Sequence, residues 1–310
     1  MAIKTKDLID LEFLTADEIR EILDTAKPMK AVMQRDIKTV PALRGKTVAT
    51  LFYENSTRTR LSFELAAKYL SAGTCNISAS TSSVQKGESL QDTGRTLDAM
   101  GTDIIVIRHG MSGAPKLLGE AVKARVINAG DGFHAHPTQA LLDMFTIIER
   151  KGQIEGQTVV ILGDILHSRV ARSNIWGLTK LGAKVRVCGP PTLMPKDIEK
   201  MGATVYYDLD EALEGADVVN VLRMQLERQH SGLVPSIEEY AKNYAMTEER
   251  LNRAKNDVLI QHPGPMNRTI EIPSAVADSA QCSVEEQVTN GVACRMALLY
   301  LMSGGEKNLV

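Results

Sequence analysis

Apolar and polar residues follow a helical period at the start of the chain. Thr15 and Glu18 have the spacing of a capping box, in which each side chain bonds to the other's backbone. Apolar residues then recur every three or four positions, at Ile19, Ile22, Leu23 and Ala26. This pattern predicts an amphipathic helix that begins after Thr15.

Further along, β-rich runs alternate with helical runs. In the first half the predicted strands are residues 47–53, 103–107 and 125–128, and the predicted helices include residues 58–70 and 137–150. In the second half the predicted strands are residues 158–162, 184–188, 204–207, 217–222 and 258–261, with a helical stretch at 168–181 and a helical region near 237–254. Such alternation predicts βαβ units and parallel sheets.

The length of 310 residues favours two domains, because single cores stop growing at about 250–300 residues. The glycine-containing segment 151–156 follows a long helix and precedes a new strand, so it is the best candidate boundary. A last helix, 284–302, has an apolar stripe through Val288, Val292, Met296 and Leu299. We therefore predict an α/β protein of two domains, each a parallel sheet flanked by helices. Domain one is 1–150, completed by 284–310 packing back on it, and domain two is 151–283.

Composition and charge exclude several classes of protein. Hydrophobic residues make up 44% and charged residues 24%, which is ordinary for a globular chain. Lys and Arg number 36 against 38 acidic residues, so no basic field recruits nucleic acid or anionic lipid. The 4 cysteines have no CxxC spacing, and no apolar run reaches the about 18 residues of a membrane span. We expect a cytoplasmic protein without a membrane anchor.

The strongest chemical signal is the segment 52–60, where a strand ends, hydroxyl residues follow and a helix begins. Backbone N–H groups at a helix N-terminus favour anions, and here Ser56, Thr57 and Thr59 add donors while Arg58 adds a charged fork. The segment therefore predicts a phosphate site. The alternative is an N-capped helix with solvated arginines.

Two more polar groups follow predicted strands of the first half. Arg108 and His109 end one strand, and a segment containing His134, His136 and Gln139 precedes the helix at 137–150. Ligands of open α/β sheets bind at the carboxyl ends of strands. The two histidines could hold a metal, but no further cluster of ligands completes such a site, so we favour an electrophilic role for one of them.

The second half carries candidate cations but no nucleotide motif. Residues 159–164 resemble the start of a dinucleotide fingerprint, yet Ile165 stands where the second glycine is needed, and no P-loop occurs. Arg169 and Arg223 each follow a predicted strand, and two arginines suit a dicarboxylate. Each could instead be an ordinary surface arginine.

Over essentially its whole length, the sequence resembles the aspartate/ornithine carbamoyltransferase family. Residues 56–60, Ser-Thr-Arg-Thr-Arg, match the family's carbamoyl-phosphate motif, and residues 136–139, His-Pro-Thr-Gln, match its second signature. Residues 223–225, Arg-Met-Gln, and 262–265, His-Pro-Gly-Pro, resemble the aspartate branch. The ornithine branch typically has a Ser-Met-Gly loop and a cysteine after the late histidine, which this chain lacks.

The resemblance implies a reaction and roles for named residues. Carbamoyl phosphate would give its carbamoyl group to L-aspartate, in pyrimidine biosynthesis, without a metal or organic cofactor. The implied catalytic residues are Arg58, Thr59, Arg108 and His136. The implied substrate-binding residues are Ser56, Thr57, Arg58, Thr59, Ser82, Lys86, Arg108, His136, Gln139, Arg169, Arg223, Gln225, Pro263 and Gly264. Val170 and Gly264 replace the threonine and leucine of some relatives.

The resemblance also implies an assembly. Ser82 and Lys86 match a family loop that enters the neighbouring subunit's site, so a homotrimer with shared active sites is expected. A regulatory chain or another pathway enzyme is a further candidate partner. Two alternatives remain, namely a carbamoyltransferase for another amino acid such as ornithine and a catalytically silent anion-binding protein.

Overall fold

The capping box predicted at Thr15 begins the first helix of the chain. A computed structural model describes residues 3–78, 87–225 and 232–305. The Thr15 hydroxyl accepts a hydrogen bond from the Glu18 backbone N–H, and the Glu18 carboxylate accepts one from the Thr15 N–H, at the start of α1 (Ala16–Met33). The predicted apolar positions Ile19, Ile22 and Leu23 are buried.

A parallel sheet of four described strands forms the first unit. Its strands and helices are β1 (Thr47–Phe52), α2 (Thr57–Tyr69), β2 (Gly73–Ser78), α3 (Leu90–Ala99), β3 (Ile104–His109), α4 (Ala114–Ala121), β4 (Arg125–Asp131) and α5 (Pro137–Lys151). The strand order is β2-β1-β3-β4, and all three pairings are parallel. Apolar side chains of β1, β3 and β4 pack against α3 and α4 to form its core, with Leu51, Ile107 and Leu118 fully buried.

A second parallel sheet, of five described strands, forms the other unit. Its elements are β5 (Thr158–Leu162), α6 (Arg169–Lys180), β6 (Lys184–Cys188), β7 (Ala203–Tyr206), α7 (Leu209–Leu213), β8 (Val218–Val221), α8 (Ile237–Tyr244), α9 (Glu248–Leu251), β9 (Leu259–Gln261) and α10 (Ser274–Ala277). The strand order is β7-β6-β5-β8-β9. The predicted α/β class with two parallel sheets is confirmed.

The last helix, α11 (Val284–Met302), is divided between the two units. The first unit comprises Met1–Phe145 and Val288–Val310, and the second comprises Thr146–Gln287. The helix therefore returns to the first unit, as expected. Three residues of the predicted stripe, Val292, Met296 and Leu299, are buried, whereas Val288 is 53% exposed. The stripe was thus assigned one turn too far toward the N-terminus.

Parts of the chain differ in detail from the predicted elements. The edge strand β2 was missed because its sequence, Gly-Thr-Cys-Asn-Ile-Ser, is polar and pairs on one side only, with β1. The helical region predicted near 237–254 consists of two helices, because Ala245 has an extended backbone (ψ 139°) and Thr247 caps a new helix. In the described parts of the chain, no helix has both the length and the apolar character needed to cross a membrane.

At Gly189, in the second unit, two backbone segments approach each other so closely that only glycine fits. A Cβ at Gly189 would lie 2.2 Å from the backbone oxygen of Gly163, the residue after β5. A backbone oxygen cannot rotate away as the end of a side chain can. We expect Gly189→Ala to lower the free energy of unfolding by about 1–3 kcal/mol through overpacking. Urea denaturation measures this change. Gly110→Ala is the control because its Cβ would meet no atom within 4 Å, and equal stability of the two variants would contradict the prediction.

Candidate active site

The candidate residues of the first unit lie at the point where the sheet reverses its direction of growth. From β1 the chain runs through α2 to β2 on one side, and from β3 it runs through α4 to β4 on the other. The carboxyl ends of β1 and β3 therefore flank a topological switch point, the usual ligand crevice of an open α/β sheet. Tyr53 N–H donates to the Arg108 carbonyl (2.9 Å), which keeps the two strand ends together.

The loop after β1 presents the predicted anion site. Ser56 is the N-cap of α2 with an extended backbone (φ −160°), and within the described chain its hydroxyl makes no capping hydrogen bond. The first-turn N–H groups of this 13-residue helix thus keep their capacity for an external anion. Thr57 and Arg58 are exposed, and Thr59 is buried on the inner side of the same turn.

Arg108 is held at this edge by a carboxylate. Its Nη2 lies 2.8 Å from Glu54 Oε1, and its Nη1 lies 3.5 Å from the Ala129 carbonyl. The Arg108 side chain is only 13% exposed. A charge-assisted bond at this depth fixes the guanidinium plane, so Arg108 offers a cation of defined orientation beside the start of α2.

The two histidines after β4 have different surroundings. The buried Asp131 carboxylate accepts hydrogen bonds from the N–H groups of Gly113 (2.7 Å) and Ala135 (3.1 Å) and from His134 Nδ1 (3.0 Å). His134 is therefore a structural group. His136 is 5% exposed and directly precedes α5, where its Nδ1 lies 3.5 Å from Thr138 Oγ1. Of the pair, His136 is the candidate for substrate.

Among the described residues, no further ligands complete a metal site at these histidines. Over residues 3–78, 87–225 and 232–305, no group of three or more His, Cys, Asp or Glu side chains is arranged to hold a metal ion. His134 is instead engaged by Asp131, and its Nε2 lies 3.8 Å from Asp10 Oδ2.

In the second unit, the predicted arginines flank the corresponding switch point. Strands β5 and β8 are neighbours, and Leu222 N–H extends their pairing by donating to the Leu162 carbonyl (2.8 Å). Arg169 begins α6 after the loop that leaves β5 and is 4% exposed. Arg223 follows β8 and is partly buried, and its carbonyl accepts a bond from Gln225 Nε2 (3.4 Å). Both cations thus lie at the carboxyl edge of the second sheet.

The loop that leaves β9 is fixed by a buried histidine. Gly264 N–H donates to His262 Nδ1 (2.8 Å), so the ring proton lies on Nε2, which donates to Glu271 Oε1 (3.2 Å). Both side chains are fully buried. The Gly264–Pro265 peptide is cis, and Gly264 has φ 60°, a conformation that favours glycine. This network holds the backbone of Pro263 and Gly264, where the resemblance predicts carbonyl contacts.

The structure groups the predicted residues by unit. Seven lie at the carboxyl edge of the first sheet, namely Ser56, Thr57, Arg58, Thr59, Arg108, His136 and Gln139. Five lie at that of the second, namely Arg169, Arg223, Gln225, Pro263 and Gly264. Ser82 and Lys86 lie outside the described residues.

Sequence reasoning missed the acidic partners of these groups. Glu54 bonds to Arg108, Asp143 accepts from Gln139 Nε2 (2.9 Å), and Glu271 accepts from His262. One of them left a signal, because Gln139 and Asp143 are four residues apart in a predicted helix and so share a face. Glu54 and Glu271 are brought to their partners only by the fold.

Two family models match the chain in the order of its units. The model for the aspartate/ornithine carbamoyltransferase carbamoyl-P binding domain matches residues 6–149, and that for the Asp/Orn binding domain matches residues 155–302. The chain therefore belongs to the aspartate/ornithine carbamoyltransferase family.

The chain is similar to individual members of both the aspartate and the ornithine branch of the family. The chain is 65% identical to the aspartate carbamoyltransferase catalytic subunit of Heliobacterium modesticaldum, over 98% of each chain, and 63% identical to that of Moorella thermoacetica, over 98% and 99%. Among solved structures, ornithine carbamoyltransferase from Pyrococcus furiosus superposes with a TM-score of 0.88 at 32% identity, over 99% and 100% of the chains. Aspartate transcarbamoylase from Trypanosoma cruzi, in complex with carbamoyl phosphate and aspartate, gives 0.86 at 29% identity, over 96% and 97%.

The His134–Asp131 pair predicts a pH-dependent stability. The Asp131 carboxylate raises the pKa of His134 against the opposing effect of burial, and Asp10 acts in the same direction as Asp131. A raised pKa means that the stabilisation is complete below the unfolded value of about 6.5 and is lost as the pH rises through the folded value. The free energy of unfolding lost in His134→Asn should therefore be larger at about pH 6 than at about pH 9.

Urea denaturation at the two pH values measures this loss. His109→Asn provides the contrast, because burial lowers the pKa of His109 and its contribution should change with pH in the opposite direction. A His134→Asn deficit that is constant, or that grows toward alkaline pH, would contradict the assignment.

Proposed function

We propose that this chain transfers the carbamoyl group of carbamoyl phosphate to the α-amino group of L-aspartate, releasing phosphate and N-carbamoyl-L-aspartate. The observation that carries the proposal is similarity over nearly the full length to relatives named aspartate carbamoyltransferase catalytic subunit. The residues that the reaction needs are also present. Arg58, Arg108, His136 and Gln139 are all present, and a silent anion-binding descendant would be expected to lose at least one of them. The product would enter pyrimidine biosynthesis.

The phosphate of carbamoyl phosphate binds at the start of α2 in this proposal. The first-turn N–H groups and the hydroxyls of Ser56, Thr57 and Thr59 donate hydrogen bonds to its oxygens, while Arg58 supplies the charge. Support comes from the geometry of Ser56, whose hydroxyl is not used as a cap within the described chain. The same contacts stabilise the phosphate as it leaves, because its negative charge grows in that step.

The carbamoyl oxygen is stabilised by three groups. The amine attacks the carbamoyl carbon, negative charge develops on the oxygen, and the bond to phosphate then breaks. Arg108, Thr59 and His136 would donate to that oxygen, and the fixed orientation of Arg108 beside Glu54 supports its role. Gln139 would bind the carbamoyl nitrogen, with the carbonyls of Pro263 and Gly264.

Aspartate is held by the second unit. Arg169 would pair with its α-carboxylate, and Arg223 with Gln225 would bind the side-chain carboxylate. A buried arginine such as Arg169 favours a bidentate carboxylate partner. The neutral α-amino group attacks the carbamoyl carbon, and the proton that its nitrogen then loses passes to the departing phosphate, so no separate protein base is required for that step. Fixing both reactants can supply about 7–11 kcal/mol of the barrier.

The predicted assembly is part of the proposal. Ser82 and Lys86 would reach the neighbouring copy of a homotrimer. Two side chains one turn apart on α2, Leu61 (46% exposed) and Leu65 (40% exposed), support an apolar contact between copies near β2. The cytoplasmic location and the regulatory chain or pathway partner stay predictions.

The deciding experiment compares amino acceptors. Purified protein is incubated with carbamoyl phosphate and either aspartate or ornithine, with a chelator present and no added metal. We expect product with aspartate alone. Turnover with ornithine alone would keep the phosphate site but overturn the roles of Arg169, Arg223 and Gln225, and no turnover with either would favour a silent anion-binding protein.

Arg108 provides a test of the stabilised oxygen. Loss of one donor to a developing negative charge typically costs about 10²–10³ in rate, so Arg108→Ala should lower kcat by that range or more. Steady-state kinetics with aspartate measure the loss. Arg20→Ala is the matched control because Arg20 is an exposed α1 residue that pairs with Asp17 on the surface. Near-normal turnover of Arg108→Ala would remove Arg108 from the mechanism.

A further inference from the structure

A fully buried carboxylate lies next to the candidate carbamoyl site without touching substrate in the proposed mechanism. Asp143 is 0% exposed and stands one helical turn after Gln139 in α5. Gln139 Nε2 donates to Asp143 Oδ1 at 2.9 Å. A buried charge is costly unless it is paired, so this carboxylate requires an explanation.

A buried cation accompanies Asp143. Arg295 of α11 is 4% exposed, and its guanidinium lies 5.2 Å from the centre of the Phe63 ring on α2. Burial lowers the pKa of Arg295 to about 10, while Asp143 acts to raise it, so Arg295 stays charged at neutral pH. Gly291 gives the guanidinium room, because a Cβ there would lie 2.6 Å from Nη1. The charge environment therefore favours an ionised Asp143.

An ionised carboxylate decides which way the Gln139 amide points. It can only accept hydrogen bonds, whereas the amide has a donor end, NH₂, and an acceptor end, the oxygen. The reversed amide would place its oxygen against the Asp143 oxygen. The Gln139 NH₂ group therefore donates to Asp143, and the Gln139 amide oxygen points away from Asp143.

We propose that Asp143 is a positioning residue that holds the Gln139 oxygen toward the NH₂ group of carbamoyl phosphate. The inference rests on the proposed function, in which Gln139 binds the carbamoyl nitrogen. That NH₂ group is the hydrogen-bond donor that distinguishes a carbamoyl from an acetyl group. Asp143 would therefore contribute to selection of carbamoyl phosphate over acetyl phosphate, which carries a methyl group at the same place.

The test reverses the polarity of the buried pair. Gln139→Glu places two carboxyl groups together in a buried site. Their repulsion, or the cost of keeping one of them protonated at the assay pH, should lower kcat/KM for carbamoyl phosphate by about 10²-fold. In the double variant Gln139→Glu with Asp143→Asn, the asparagine NH₂ donates to the buried oxygen of the glutamate. The other glutamate oxygen faces the substrate, and the net charge equals that of the unaltered protein. We expect the double variant to regain about tenfold or more over Gln139→Glu.

Asp143→Asn alone gives a readout that a general structural defect would not produce. Asparagine can pair with Gln139 in either sense, so the preference for one amide orientation is lost. The KM for carbamoyl phosphate should rise by about three- to tenfold, whereas the inhibition constant of acetyl phosphate, measured as a competitor, should change by less than about twofold because a methyl group makes no such bond. Asp24→Asn, an exposed change on α1, is the matched control.

Each outcome decides the proposal. No rescue in the double variant, with a folded protein by circular dichroism, overturns it, and so do equal changes for carbamoyl and acetyl phosphate in Asp143→Asn. If Gln139→Glu does not fold, the Asp143→Asn comparison decides alone. Absence of turnover by the unaltered protein would instead defeat the proposed function, so the two failures are distinguishable.

Discussion

Every strand pairing in the described parts of the chain is parallel, and the location of the candidate chemistry depends on this constraint. Parallel strands require crossovers that return the chain to the same starting edge, so all carboxyl ends meet at the opposite edge. The order β2-β1-β3-β4 then opens a crevice between β1 and β3, and the order β7-β6-β5-β8-β9 opens one between β5 and β8. Ser56 follows β1, and Arg108 lies near the carboxyl end of β3. Arg169 follows β5, and Arg223 follows β8.

Acidic partners then fix the groups delivered to those edges. Glu54, Asp131, Asp143 and Glu271 each bond to a neighbouring Arg, His or Gln. Since an ionised carboxylate accepts only, each one selects the donor atom of its partner and thereby the atom that faces elsewhere. Asp131 keeps His134 as a structural group, so His136 is the better candidate of the two for substrate. Burial makes these orientations strongly preferred, because a buried donor or acceptor without a hydrogen-bond partner costs free energy.

Regular apolar patterns allowed accurate prediction of the central elements. The bounds of β5, β6 and α11 were predicted as the structure has them. β5 is a buried and almost wholly apolar run, β6 alternates charged and apolar residues, and the second half of α11 is continuously buried. The edge strand β2 has no such signal, and α8 is separated from α9 by the extended backbone of Ala245 and Thr247. Val288 was placed on the buried stripe, but the return of α11 to the first unit begins only there.

The sequence alone determined the fold class, the two sheets and the residue types of the candidate site. It did so because period, caps and short motifs are local properties that neighbouring residues specify. The tertiary structure decided which strand ends are neighbours, which of His134 and His136 is engaged by Asp131, and which carboxylate meets Arg108 or His262. These are contacts between residues distant in the chain or choices set by burial, and their energies depend on depth and on hydrogen-bond geometry, which exist only after the chain has folded.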